Sequence, residues 1–182
     1  MSRILAEVFL LPGLGNSGPE HWQSHWERRH PKFRRIEQED WETPRCADWR
    51  ERLDREVHAL RRPLVLVGHS TGCALVAHWA AAAAAERVAL VRGAPLVAPS
   101  DPEGPNYPEG PTGFAPMPLA PLPFASIVVA SDDDPFISLD GARAYAEAWG
   151  SRFEPVGAAG HINSASRLGD WPRGYTLLTE LR

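Results

Sequence analysis

Ser70 lies in the pentapeptide Gly68-His69-Ser70-Thr71-Gly72. The apolar run Leu64-Val65-Leu66-Val67 precedes it, and a helix-forming segment from Cys73 to Ala85 follows. Strand, sharp turn and helix around G-x-S-x-G form a nucleophile elbow, which lifts a serine hydroxyl clear of its own backbone. The turn is strained and needs small neighbours, which Gly68 and Gly72 supply. The Thr71 N–H would then lie at a helix N-terminus, where it can stabilise a developing oxyanion. The competing reading of these residues is an ordinary strand-to-helix turn with Ser70 as its cap.

A serine hydroxyl is a weak nucleophile at neutral pH, so Ser70 needs a base and the base needs an orienting carboxylate. Behind a G-x-S-x-G serine the chain order is acid, then histidine. The run Ser126-Ile127-Val128-Val129-Ala130 leads into Ser131-Asp132-Asp133-Asp134-Pro135, and Phe153-Glu154-Pro155-Val156 leads into Gly157-Ala158-Ala159-Gly160-His161. In a parallel sheet both loops open on the edge that carries Ser70. His161 is therefore the expected base. Asp134 is the favoured acid, because Pro135 restricts and stiffens it; Asp133 is the next choice. An acidic turn capping the helix from Leu139 would account for Asp132 or Asp133 instead.

A second oxyanion donor is expected from the loop after the first strand, Leu11-Pro12-Gly13-Leu14-Gly15-Asn16-Ser17-Gly18, with the Leu14 N–H as first choice. Gly13, Gly15 and Gly18 also match G-x-G-x-x-G. That pattern alone is weak evidence for a dinucleotide site, and no acidic residue ends the second strand cleanly. The other histidines fit less demanding roles. His58 and His78 fall inside helices, and His69 points away from the Ser70 side chain. His21 and His25 form H-x-x-x-H, but metal binding needs a third ligand and an open position, so they read as helix-surface residues.

The elements that must hold these groups alternate. Strand-like runs occur at about 4–10, 34–38, 63–67, 87–92, 125–130 and 152–156. Helical patterns cover Glu20 to His30, Ala47 to Leu60, Gly72 to Glu86, Leu139 to Trp149 and Gly174 to Leu181; the third includes the six alanines Ala80 to Ala85. Such alternation implies right-handed βαβ units and a mainly parallel sheet covered by helices on both faces. The stretch 95–123 carries ten prolines from Pro95 to Pro123, which excludes a central strand or a long helix there. It follows a strand, so it is expected over the site as a substrate-facing cover.

At 182 residues the chain suits one domain with a substantial core and no large lid. A net charge of −4, with Lys32 the one lysine, points to neither nucleic acid nor an anionic membrane. Cys46 and Cys73 make neither a disulfide framework nor a metal spacing, so both are expected as reduced thiols. The N-terminal stretch is too short to span a membrane and has no signal-like cleavage region, which gives a cytoplasmic expectation.

The chain resembles the YdeN-like small α/β-hydrolases, a group also named after a retinoblastoma-binding member. The resemblance rests on LLPGLGNSGPEHWQSHWE, LVGHSTGC, SIVVASDDDPF and GAAGHINSASRLGDWPRG, which together span almost the whole length. It implies a minimal α/β-hydrolase without a large cap, and a triad of Ser70, Asp134 and His161. It also implies that Trp22, Trp26, Asn163 and Trp171 belong to a frame near or beneath the site. The Leu-x-Cys-x-Glu pattern associated with retinoblastoma binding is absent, so that partner is not carried over, and no protein partner is named. The expectation is a six-stranded sheet of order 2-1-3-4-5-6. It carries a serine hydrolase of small acyl substrates, esters foremost, needing no metal or organic cofactor. Thioester or amide cleavage, acyl transfer, and a non-catalytic binding module on the same scaffold are the alternatives. Pocket walls are expected from the 95–123 segment and the tryptophan-rich helices.

Overall fold

The computed structural model describes residues 6–182. The expected strand at 4–10 therefore begins, at Ile4 and Leu5, outside the described residues. Six parallel strands form one sheet in the order β2-β1-β3-β4-β5-β6. They are β1 (Glu7–Leu11), β2 (Phe33–Arg35), β3 (Leu64–His69), β4 (Val91–Val97), β5 (Ala125–Ala130) and β6 (Arg152–Pro155). The helices are α1 (Trp22–Arg29), α2 (Cys46–Leu60), α3 (Thr71–Ala82), the single turn α4 (Ala85–Val88), α5 (Leu139–Trp149) and α6 (Pro172–Leu181). No helix among the described residues is long and apolar enough to cross a membrane.

Successive strand side chains point to opposite faces, and both faces are covered. Phe9, Leu11, Leu66, Leu96 and Val128 pack with Trp49, Leu53, Leu75, Ala142 and Trp149 under α2, α3 and α5. Val8, Leu10, Val67, Val97 and Val129 pack with Trp22, Trp26, Leu177 and Leu178 under α1 and α6. This explains why Leu64-Val65-Leu66-Val67 has no polar residue: every one of its side chains is buried.

Three local expectations are corrected. The fourth strand lies at Val91–Val97, not 87–92, because α4 and its cap Ala89 occupy the start of that stretch. Pro95 is inside this central strand, beside Ile127 of β5. Its missing N–H forfeits about one ladder hydrogen bond, roughly 1 kcal/mol. Complete burial of the neighbouring Ala94, Leu96 and Val97 outweighs that loss. The alanine run is not one helix either. Ala83 leaves helical geometry at ψ 151°, and the chain turns there to reach β4. Tertiary direction overrides alanine's helical preference.

The proline-rich segment divides into two parts. Its first part, with Ser100, Tyr107 and Pro108, lines a cavity at Ser70. The remainder seals the α2/α3/α5 layer. Phe114 and Met117 are core residues, the Phe114 carbonyl meets His78 Nε2 at 2.8 Å, and the Pro118 carbonyl accepts Trp149 Nε1–H at 2.8 Å. The cover over the site is therefore its proximal portion, with the distal portion doing structural packing.

Candidate active site

Ser70 sits between β3 and α3 with φ 56° and ψ −122°. For a non-glycine residue that conformation costs on the order of 1–3 kcal/mol, offset here by tight packing on every side. A Cβ on Gly68 would lie 3.0 Å from backbone atoms of Gly72 and Cys73, and one on Gly72 would run into the Leu11 carbonyl oxygen. A Cβ on Gly13 would come within 2.8 Å of Ser70 Cβ and 3.2 Å of Thr71 N. The glycine-rich loop after β1 therefore lies directly against the elbow. No acceptor among the described residues takes the N–H of Leu14 or of Thr71.

The loops after β5 and β6 meet above Ser70. Ser70 Oγ is 2.8 Å from His161 Nε2, and His161 Nδ1 is 3.0 and 2.9 Å from the two carboxylate oxygens of Asp134. The Asp134 side chain is fully buried and that of His161 is 9% exposed, so the acid end of the row is shut off from water. Asp134 Oδ1 also accepts the Phe136 N–H at 2.9 Å, which fixes the carboxylate plane. The neighbouring Asp133 faces elsewhere. Its Oδ1 accepts Ser131 Oγ–H and Gly160 N–H, both at 2.7 Å, and these bonds hold its carboxyl below the ordinary carboxylate range. Helix α5 is capped by Ser138, whose Oγ accepts the Gly141 N–H at 3.0 Å, so neither Asp132 nor Asp133 caps it.

A lattice of hydrogen bonds positions His161 from behind. Its carbonyl meets His69 Nε2 at 2.9 Å, and the next carbonyl, of Ile162, accepts Trp22 Nε1–H at 2.8 Å. Burial drives the His69 imidazole well below its usual pKa, with His21 and His161 adding to the effect. Trp26 Nε1–H reaches the Asp170 carbonyl at 2.6 Å, and Trp26 stacks on Trp171 at 6.2 Å between centroids. The tryptophans thus lie beneath the site and brace its loop. They do not form pocket walls, which was the expectation for the tryptophan-rich helices. Arg35 braces the other side: its guanidinium donates to Asn16 Oδ1 at 2.8 Å, the Ser17 carbonyl at 2.8 Å and Ser24 Oγ at 2.6 Å.

Two cavities meet at this row and share Leu14, Ser70, His161 and Asn163. One, of about 340 Å³, is completed on the β1 side by Gly13, Asn16 and His21. The other, of about 280 Å³, is completed by Ser100, Tyr107 and Phe136. His21 is not a surface residue, as expected from the sequence, but is 3% exposed and caps α1 through Nδ1. His25 lies 3.3 Å from Asp170 Oδ1. Among the described residues no cluster of three His, Cys, Asp or Glu side chains could hold a metal ion. Cys46 and Cys73 are buried free thiols, and burial raises both above the ordinary thiol pKa, Cys46 to about 11. Sequence reasoning passed over His21, Ser100 and Tyr107 as parts of the site. The available signals were slight: a histidine just ahead of a helix start, and a tyrosine among prolines.

The serine hydrolase family model matches residues 8–180. The chain belongs to the serine hydrolase family. A structure named as a YdeN-like hydrolase, from Pectobacterium atrosepticum, is 34% identical; the match covers 97% of this chain and 90% of that one, with a TM-score of 0.83. The ydeN gene product of B. subtilis is 19% identical over 97% of this chain and 98% of its own, with a TM-score of 0.76. This chain is thus a YdeN-like small serine hydrolase of the α/β-hydrolase fold. At the level of fold alone it is also similar to a thermophilic esterase from Thermogutta terrifontis, with 16% identity, a TM-score of 0.67 and coverage of 97% and 88%. No curated protein matches the chain.

Proposed function

We propose that this serine hydrolase cleaves small, uncharged carboxylic esters through an acyl-serine intermediate. The observation that carries the reading is the unbroken row from Ser70 Oγ through His161 to Asp134, with each gap between 2.8 and 3.0 Å. Ser70 Oγ attacks the ester carbonyl carbon as its proton passes to His161 Nε2. Asp134 holds Nδ1–H and stabilises the imidazolium. The carbonyl electron pair moves onto oxygen, where the Leu14 and Thr71 N–H groups receive it. Collapse of the tetrahedral species breaks the bond to the alcohol oxygen, which takes the proton from Nε2. Water then attacks the acyl-serine by the same steps in reverse and restores Ser70. Every proton in the scheme is handled by the chain's own groups.

Esters come first because an alkoxide leaves more readily than an amine. The preference for uncharged substrates follows from the walls: among the described residues no lysine or arginine lines either cavity. In the smaller cavity, Ser100 Oγ is buried without a hydrogen-bond partner among the described residues, and the Tyr107 hydroxyl, beside the Thr71 side chain, is likewise shut off from solvent. Buried polar groups demand partners, so the substrate arm in that cavity carries a hydrogen-bonding oxygen or nitrogen.

The deciding experiment is fluorophosphonate labelling of wild type and Ser70→Ala, followed by an ester screen. Stoichiometric labelling of the wild type alone is expected. A folded wild type that neither labels nor cleaves any short ester defeats the reading in favour of a binding role.

A further inference from the structure

We propose that His21 donates a hydrogen bond from Nε2–H to a substrate oxygen in the cavity on the β1 side of Ser70, a role that rests on the acyl-transfer reading above. Three histidines cluster here. The ring centroids of His21 and His69 are 4.6 Å apart, and those of His69 and His161 5.0 Å. His161 faces Ser70 Oγ, and His69 spends its Nε2 on the His161 carbonyl. Among the described residues the corresponding atom of His21 has no hydrogen-bond partner.

The tautomer of His21 follows from its cap. Nδ1 accepts the Gln23 N–H at 3.1 Å, so Nδ1 carries a lone pair and the proton of the neutral ring is on Nε2. The ring stays neutral: burial foremost, then Arg35 and His161, push its pKa down to about 3. A neutral imidazole in this state polarises a substrate oxygen without surrendering its proton. Nε2 is shielded from solvent and has no acceptor among the described residues. Such an orphaned buried donor is costly unless something completes it. The ring that carries it borders the cavity shared with Ser70, Gly13 and Leu14.

The donor is also rigidly held. His21 sits edge-on to the His69 ring and 5.2 Å from the Trp22 ring. The adjoining Gln23 is fully buried, accepting Ser17 Oγ–H at 2.7 Å and donating Nε2–H to the Val67 carbonyl at 3.1 Å. Helix α1 is thereby pinned to the strand that delivers Ser70. A donor fixed in advance needs no reorganisation when charge develops, which is the condition for transition-state stabilisation. The competing use of Nε2–H is an edge contact to the His69 ring face alone.

The test is His21→Asn in the full chain. Asparagine keeps a side-chain cap for α1 but has no group at the Nε2 position. The expected result on a short p-nitrophenyl ester is a kcat/KM lower by roughly 10- to 100-fold, carried mainly by kcat. The thermal midpoint should stay near wild type, with Ser70 still labelled to completion by a fluorophosphonate. A folded variant within twofold of wild type overturns the proposal, and the ring contact is then the whole role. Should the variant not fold, wild-type histidine side-chain 1H–15N spectra decide. The His21 Nε2–H resonance moves downfield when Ser70 is phosphonylated; an unmoved resonance overturns the role. If the wild type labels and hydrolyses while His21→Asn is unaffected, only the His21 role fails. If the wild type does neither, the acyl-transfer reading fails and takes the His21 role with it.

Discussion

The His161 carbonyl oxygen accepts the Nε2–H of His69 at 2.9 Å, so the residue just before Ser70 holds the residue opposite it. The elbow and the last loop are coupled through one bond at the back of the site. His69→Phe should strand that carbonyl in a dry environment, at a cost of about 1–3 kcal/mol of stability. It should also lower kcat by roughly tenfold, because small misplacements of a reacting group are expensive. Urea unfolding and ester turnover of the variant read the two effects separately. A loss of stability with unchanged kcat would show that the bond braces the fold without positioning His161.

Asp134→Asn should keep the shape of the site and reverse the tautomer of His161. An amide can donate its N–H to Nδ1 and so leave Nε2 protonated, unable to accept the Ser70 proton. A fall in kcat of roughly a thousand- to ten-thousand-fold is expected at neutral pH. Asp133→Asn should cost far less, because Asp133 is engaged with Ser131 and Gly160. Equal losses in the two variants would contradict the assignment of the acid.

Gly72→Ala would drive a methyl group into the Leu11 carbonyl, a backbone atom that cannot rotate away. Overpacking of this kind costs about 1–3 kcal/mol, or more where backbone must move. Because Leu11 leads into the Leu14 loop, activity should fall along with stability. Gly157→Ala is a useful contrast. Nothing lies within 4 Å of its added Cβ, so its penalty comes from φ of 82° alone.

Stability should decline as pH falls from neutrality. In the unfolded chain the His21 and His69 imidazoles titrate near 6.5, whereas in the folded protein both values are depressed, that of His21 to about 3. Between those values the unfolded state binds more protons, so the stabilisation is complete above about pH 6.5 and is lost progressively towards pH 3. Asp133 adds its share only below about its ordinary 3.8. Urea midpoints between pH 7.5 and 4 should drop in wild type and drop less steeply in His21→Asn. A flat wild-type profile would contradict the burial of these rings as neutral species.

Ser100→Ala and Tyr107→Phe should change substrate preference more than overall activity. Each removes a buried hydroxyl from the cavity wall, that of Ser100 having no hydrogen-bond partner among the described residues. Against an ester arm ending in a hydroxyl or carbonyl, kcat/KM should fall by roughly tenfold per hydroxyl. Against the alkyl isostere it should hold or improve. The measurement is the ratio of the two, and an unaltered ratio in the double variant would remove these residues from substrate recognition.

The site was legible in the sequence wherever chemistry imposes local form. A nucleophile elbow needs glycines beside the serine, and Gly68 and Gly72 announce it. Parallel strands bring their following loops to one edge, so the loops of Asp134 and His161 could be placed there by counting strands. Reading failed where packing decides between equally good local options. Pro95 reads as a strand breaker, yet burial on both sides holds it in β4. Ala80 to Ala85 reads as continuous helix, yet the path to β4 bends the chain at Ala83. The proline-rich segment reads as one cover, although Phe114 and Met117 carry its second half into the core.

By itself, then, the sequence determined the class of fold, the serine and histidine whose types and order suit acyl transfer, and the acidic loop that lies between them in the chain. These depend on periodicity, on steric demands within a few residues and on the handedness of parallel crossovers, all properties of the chain as written. Only the tertiary structure decided which neighbouring carboxylate faces His161, that His21 is buried with Nδ1 capping α1, and that Ser100 and Tyr107 line a cavity beside Ser70. The physical reason is that tautomer, burial and unmet hydrogen bonds are set by groups far apart in sequence, and exist only once the helices have closed over the sheet.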